Sequence, residues 1–301
     1  MNQAQPATPP PARDGVGPSR VFLPPGPWPR VLDFLMQRFA RVPADVWLDR
    51  LSGGRVIDAR GDAVPPDAPY APGQWLFYYR ELPAEPPIPF EADILYQDAH
   101  LLVVDKPHFL PVTPSGGYLQ QTLLVRLRRA LGRDDLAPLH RLDRDTAGLV
   151  LLATSDAARR AYSALFRQHR IEKTYHAVAA HRPELALPLT RRSRIVPAGH
   201  FMLQHEVPGP VNAITHIDRS AVQGDWARYT LKPVTGQRHQ LRVHMAALGL
   251  PLLHDGLYPV LTPQGTPDWQ RPLQLLAREL RWVDPFTGQP RHFVSTRRLL
   301  V

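Results

Sequence analysis

The 301-residue chain contains no cysteine. A disulfide framework, a thiolate metal site and a cysteine nucleophile are therefore all excluded. It also lacks any apolar run near the roughly 20 residues needed to cross a bilayer. The opening stretch MNQAQPATPPPARDG has neither a basic leader nor an apolar core behind one. The expectation is a cytoplasmic protein with no membrane partner. No glycine-rich phosphate loop and no internal repeat is present. With 44 % apolar and 21 % charged residues the composition is that of a soluble globular protein, and the length suggests two domains.

What the chain has in excess is positive charge and proline. Residues 1–89 carry nine Lys and Arg against nine Asp and Glu, whereas residues 90–301 carry 27 against 18, so the net charge of +9 lies wholly in the second stretch. A basic excess confined to one part of a chain argues for a polyanionic partner, nucleic acid above all. Nine of the 35 prolines fall within residues 1–29, and residues 1–20 read as a disordered tail. The proline-rich ELPAEPPIPFEAD reads as a linker, placed at 83–92. Between them, over 21–82, Leu32, Leu35 and Phe39 recur at helical spacing, PADVWLDRLSGG predicts a second helix closed by Gly53 and Gly54, and short strands are expected up to Arg80. This pattern resembles the ribosomal-protein-like RNA-binding module that precedes several RNA-modifying enzymes. The neutral balance departs from the basic helix face such a module offers.

Over residues 93–301 strands alternate with short helices. DILYQDAHLLVVDKP predicts two strands around a turn at residues 98–100. QQTLLVRLRRALG predicts a helix with Leu123, Leu127 and Leu131 on one stripe and Arg126, Arg129 and Arg133 on a second, solvated one. GLVLLAT reads as a buried strand, DAARRAYSALFRQH as a helix capped by Ser155, and KTYHAVAA as a further strand. RHQLRVHMAALG predicts a helix that carries Arg238 and Arg242 one turn apart and is closed by Gly249.

HRLDRDTAGLVLLA, residues 140–153, sets two arginines and two aspartates ahead of an apolar strand. A charge at the mouth of a buried strand is usually paired or functional, because leaving it desolvated and alone costs several kcal/mol. Three readings stand. One is an Asp–Arg pair that only pins a turn. Another is a carboxylate pair, Asp143 and Asp145 on one strand face, for glycosidase-like chemistry. The third is an active site of another kind. A metal site is disfavoured despite 13 histidines, since His239 and His244, five apart, fit neither helical nor strand ligand spacing.

The same stretch resembles the signature of the RluA-type pseudouridine synthases, which isomerise uridines in ribosomal or transfer RNA. LLVVDKP at 101–107, KTYHAVA at 173–179 and VTGQRHQLRVHMAALGLPLLHDGLYP at 234–259 match that family in the same order. LQLLAREL at 273–280 resembles its C-terminal strand, so the likeness covers residues 94–300. Ala147 stands where a serine is usual, Arg238 for a threonine and His254 for a glycine, departures that bear on substrate choice more than on reaction type. The resemblance implies an α+β fold with a mixed, largely antiparallel sheet, an RNA substrate, no cofactor and no metal. It also implies roles. Asp143 acts on the sugar, as nucleophile at the anomeric carbon or as base at the neighbouring carbon. Arg242 pairs with it to keep it ionised and oriented. Tyr175 stacks on the uracil and is the candidate to remove the carbon-bound proton, and Arg141 fills the gap left by the flipped nucleotide. His140, Lys106, Lys173 and Arg238 complete the RNA side, with structural hydrogen bonding the competing role for His140 and strand capping for Lys106. Attack on uracil by a cysteine, another known route, is impossible here.

The expectation is a monomeric, cofactor-independent RNA pseudouridine synthase, acting on ribosomal ahead of transfer RNA, with a small helix-rich module before its catalytic domain. Two alternatives remain. Intact Asp143, Tyr175 and Arg242 speak against an inactive RNA-binding or ribosome-assembly factor, and the basic excess speaks against a nucleoside hydrolase acting on small molecules.

Overall fold

The computed structural model describes residues 10–82, 84–262, 265 and 267–301. The chain divides into two units. The first takes the chain up to Glu85 together with Pro114–Gln120 and Val125–Asp134; the second takes Pro86–Thr113, Gln121–Leu124 and Asp135–Val301.

The first unit contains β1 (Ser19–Phe22), α1 (Val31–Arg38), α2 (Ala44–Ser52), β2 (Val56–Ile57) and β3 (Trp75–Tyr78). Both helices form where the apolar spacing asks for them. Leu32 and Leu35 of α1 and Trp47 and Leu51 of α2 are buried in one cluster with Val21, Val56 and Leu76 of an antiparallel sheet ordered β1-β3-β2. The tail expected over 1–20 differs. Residues 1–9 lie outside the described residues, but 10–20 are held in place. The Tyr79 hydroxyl donates to the Pro11 carbonyl at 2.7 Å, Ser19 and Arg20 pair with Tyr78 and Phe77, and Val16 is buried. Val16 shares an apolar cluster with Leu82, Leu119 and Val125, which is why residues 114–120 and 125–134 belong to this unit and not to a domain running unbroken from 93 to 301. The arginine stripe is correspondingly engaged: Arg129 donates to Gln120 at 3.3 Å, and the neighbouring Arg128 to the Gly15 carbonyl.

In chain order the remaining elements are β4 (Asp93–Gln97), β5 (Leu101–Lys106), α3 (Leu123–Leu131), which straddles the division, β6 (Ala137–Pro138), β7 (Ala147–Ala153), α4 (Asp156–Arg167), β8 (Glu172–Ala180), β9 (Leu189–Pro197), β10 (Gln204–Val207), β11 (Ala213–Gln223), β12 (Trp226–Pro233), α5 (Gln240–Ala247), β13 (Leu275–Val283) and β14 (Pro290–Val294). Among the described residues the second unit's eleven strands form one sheet, ordered β10-β9-β11-β12-β8-β13-β7-β5-β4, with β14 added on β13 and β6 on β7. Among the described residues only β13 and β7 run parallel, so the sheet is mixed and largely antiparallel. The linker expected at 83–92, of which Pro83 lies outside the described residues, is no free spacer at its far end: Ile88 is buried and Phe90 stacks on Phe109.

Local chemistry sets the elements that matter for the site. The Asp98 carboxylate accepts the His100 and Leu101 N–H groups, both at 2.8 Å, and closes the β4–β5 turn. Ser155 caps α4 by accepting the Ala158 N–H at 3.1 Å. β7 is buried along its whole length. At Gly148 in β7 φ is +111°, and a Cβ would stand 2.3 Å from the Ala277 carbonyl oxygen, so only glycine lets β13 lie alongside. α5 packs Leu241 and Met245 onto Ala177, Ile217 and Leu231 of the central strands. It starts later than the periodicity predicts. His239 takes a left-handed φ of +56°, so the helix begins at Gln240 and Arg238 is not on it.

Candidate active site

The turn before β7, the start of β8, the end of β12 and the first turn of α5 surround a cleft of about 130 Å³. Arg141, Asp143, Lys173, Tyr175, His239 and Arg242 are among its lining residues. Asp143 is in a turn, not on a strand, and the Thr146 N–H donates to its carbonyl at 3.2 Å. Asp145 turns its carboxylate to Arg144 at 2.8 Å. The two carboxylates thus have separate partners, and no strand presents them as a pair.

Arg242 reaches the cleft from α5 with its side chain only 2 % exposed. Nη1 donates to Asp143 Oδ2 at 3.1 Å, while Nε and Nη2 fork onto Asp255 at 2.9 and 2.6 Å. Burial works against its charge, but Asp255, then Asp143 and Asp145, outweigh that and hold its pKa above the ordinary arginine value. The Asp255 side chain is fully buried, and its Oδ1 also accepts the Leu257 and Tyr258 N–H groups at 2.8 and 3.1 Å. A cation fixed by one buried carboxylate is thereby aimed at a second that remains 29 % exposed to the cleft. Sequence reading did not single out Asp255. Its signal is an acidic residue beside a turn glycine within the otherwise apolar PLLHDGLYP.

Tyr175 projects from β8 and is part-buried beside the apolar cluster under α5. Burial, followed by the charge of Asp143, pushes its hydroxyl well above the ordinary tyrosine pKa. Arg141 is exposed at the rim. Lys173 lines the cleft with Nζ 3.4 Å from the Thr235 carbonyl, and burial lowers its pKa. Arg238 is exposed outside the cleft and donates to the Phe201 carbonyl at 3.0 Å.

Two residues expected on the RNA side are elsewhere. Lys106 is completely buried, and its ammonium donates to the Pro107, Leu110 and Arg144 carbonyls at 2.9, 2.8 and 3.1 Å. With every N–H engaged it ties β5 to the turn that carries Asp143 and has none left for a phosphate. Burial pushes its pKa down to about 7 against the pull of Asp145 and Asp143. His140 packs beside Phe166, and its Nε2 accepts the Leu151 N–H at 3.1 Å. Burial, then the charge of Lys173, pushes this imidazole down to about 3, so it stays neutral as a splint between the motif and β7. Among the described residues no three of His, Asp and Glu stand close enough to hold a metal ion, and no helix is long and apolar enough to cross a membrane.

Residues 100–247 match the RNA pseudouridylate synthase family. An uncharacterized RNA pseudouridine synthase of Synechocystis is 33 % identical over 247 residues, 79 % of this chain and 81 % of that one. The dual-specificity RNA pseudouridine synthase RluA of Haemophilus influenzae is 33 % identical over 225 residues, 69 % of this chain and 94 % of that one. In fold, the human RNA pseudouridylate synthase domain containing 1 aligns with a TM-score of 0.55 at 23 % identity, over 71 % of this chain and 86 % of that one. With identity of this level running through most of both chains, and the same fold beneath it, this chain belongs to the RluA-type family of RNA pseudouridine synthases.

Proposed function

We propose that this chain converts uridine to pseudouridine in structured RNA, ribosomal ahead of transfer RNA, with Asp143 acting on the sugar and no cofactor. The observation that carries this reading is the convergence on one cleft of Asp143, Tyr175 and Arg242, residues far apart in the chain. In the reaction the N1–C1′ bond breaks, the uracil turns in place, C5 joins C1′, and the C5 proton leaves while N1 gains one. Atoms and electrons balance without a redox partner. Asp143 either attacks C1′ or takes a proton from C2′. Both routes discharge its carboxylate. Joining C5 to C1′ restores that charge, and Tyr175, beside the ring, then takes the C5 proton as its hydroxyl gives up its own. Arg242, anchored by Asp255, holds the carboxylate toward the sugar. Arg141 fills the place of the flipped nucleotide, and Lys173 and Arg238 serve the RNA backbone.

Incubation with total RNA from a strain lacking the gene, followed by pseudouridine mapping, tests this reading and names the target. Asp143→Asn is expected to abolish pseudouridine formation while RNA affinity changes less than about twofold, since the carboxylate serves bond breaking and not phosphate contact. Residual turnover within about tenfold of wild type overturns the role of Asp143. RNA binding by a wild type that forms no pseudouridine favours the inactive assembly factor.

A further inference from the structure

His239 and the Tyr258 behind it have no part in the scheme above. His239 holds a left-handed backbone, φ +56°, which non-glycine residues adopt rarely and at a cost. That conformation starts α5 and puts the imidazole in the cleft wall with Nε2 3.7 Å from Asp143 Oδ1. Nδ1 lies 3.0 Å from the Tyr258 hydroxyl, whose oxygen accepts the Gln204 backbone N–H at 2.8 Å. A hydroxyl that already accepts one bond still has its proton to give, and Nδ1 is within reach to take it. The opposite tautomer would leave a bare Nε2 lone pair facing a carboxylate. The Nε2–H tautomer turns that repulsion into attraction. Arg242 meanwhile takes only Oδ2 of Asp143, which leaves Oδ1 for a second donor.

We propose that His239 is a positioning residue for Asp143: Tyr258 fixes its imidazole as the Nε2–H tautomer, and that N–H meets Oδ1 and aims the carboxylate when uridine enters the cleft. The inference rests on the reading of Asp143 as the group that acts on the sugar. Closing 3.7 Å to a hydrogen bond of about 2.9 Å is a sub-ångström adjustment of the kind catalytic contacts make on substrate binding. The groups facing His239 are Asp143 from the turn before β7, Arg242 from α5, the adjacent Arg238, and Asp255 and Tyr258 from the segment after α5. Burial lowers its pKa, with Arg242 and Arg238 acting the same way and Asp143 and Asp255 opposing, which keeps the ring in the neutral form the scheme requires.

Nitrogen-15 histidine NMR on the intact protein reads the tautomer directly, with the His239 signal assigned by its loss in His239→Gln. The expected result is protonated Nε2 and bare Nδ1 in the wild type, and a mixture in Tyr258→Phe. For pseudouridine formation, kcat is expected to fall about 100-fold in His239→Ala and in Tyr258→Phe with KM within about twofold, the signature of lost aim and not of lost binding. His239→Gln, whose amide can donate near the Nε2 position, recovers part of the loss. Should His239→Ala melt below the assay temperature, Tyr258→Phe and His239→Gln carry the test. An Nδ1–H tautomer in the wild type, or an active wild type with unimpaired variants, overturns this inference alone. A wild type that forms no pseudouridine overturns the reading of Asp143 beneath it.

Discussion

Lys106 keeps every one of its N–H groups inside the protein, on three backbone carbonyls. Its pKa is pushed down to about 7 from the ordinary 10.5. Between those two values the unfolded chain holds the proton and the folded chain releases it. The unfolded state therefore binds more protons, and stability rises with pH across that window. The midpoint of urea unfolding is expected to climb from about pH 7.5 to about pH 9.5 in the wild type and to climb less in Lys106→Met, so that the gap between the two widens. Parallel curves would mean that Lys106 titrates near its ordinary value. Arg242 presents the contrasting case at the same scale. It too is buried, but two carboxylates face it and its charge is reinforced, not eroded.

Among the elements, the pairing of β7 with β13 has the least freedom. It is the single parallel pairing of the sheet among the described residues, and it brings Leu275 at the start of β13 into the cleft wall beside the turn that precedes β7. Gly148 makes it possible twice over, by its φ of +111° and by the space its missing side chain leaves for the Ala277 backbone. Gly148→Ala is expected to lose more than about 3 kcal/mol of unfolding free energy, because the new methyl meets backbone and not a side chain that can swing away. Denaturant titration checks this, and a loss under about 1 kcal/mol would show that β13 shifts at little cost. α5 depends on a similar local decision, the left-handed His239 that sets its first turn and so the direction in which Arg242 leaves it.

For the whole molecule the informative quantity is where the charge lies. Residues 1–89 are neutral and residues 90–301 hold the entire excess of +9. RNA binding driven by that excess releases counterions. With six to ten phosphate contacts the affinity should drop roughly 10³- to 10⁵-fold between 50 and 200 mM salt, taking duplex DNA as the guide. Fluorescence anisotropy with a labelled RNA stem-loop across that range measures the slope. A flat response would point to a small uncharged substrate and revive the hydrolase alternative.

The sequence by itself determined the strands and helices with strong apolar periodicity, the Ser155 cap, the turn at Asp98, the ordered motifs and the charge division. Each of these is a local property, decided by which side chains alternate along a few turns or strands. It also marked His254 as odd where a glycine is usual, and the backbone there is left-handed at φ +63°. The motifs carried the pairing of Arg242 with Asp143 as an expectation, but the tertiary structure alone decided that Asp255 anchors the same guanidinium. Arg242 finds Asp143 across 99 residues and Asp255 across 13, and no spacing rule links the three. It also decided that Lys106 and His140 turn inward, that Arg238 leaves α5, and that residues 114–120 and 125–134 join the first unit. A lysine, histidine or arginine reads the same in sequence whether it faces solvent or a buried acceptor. What separates the two is the set of carbonyls and carboxylates that chain closure brings within about 3 Å.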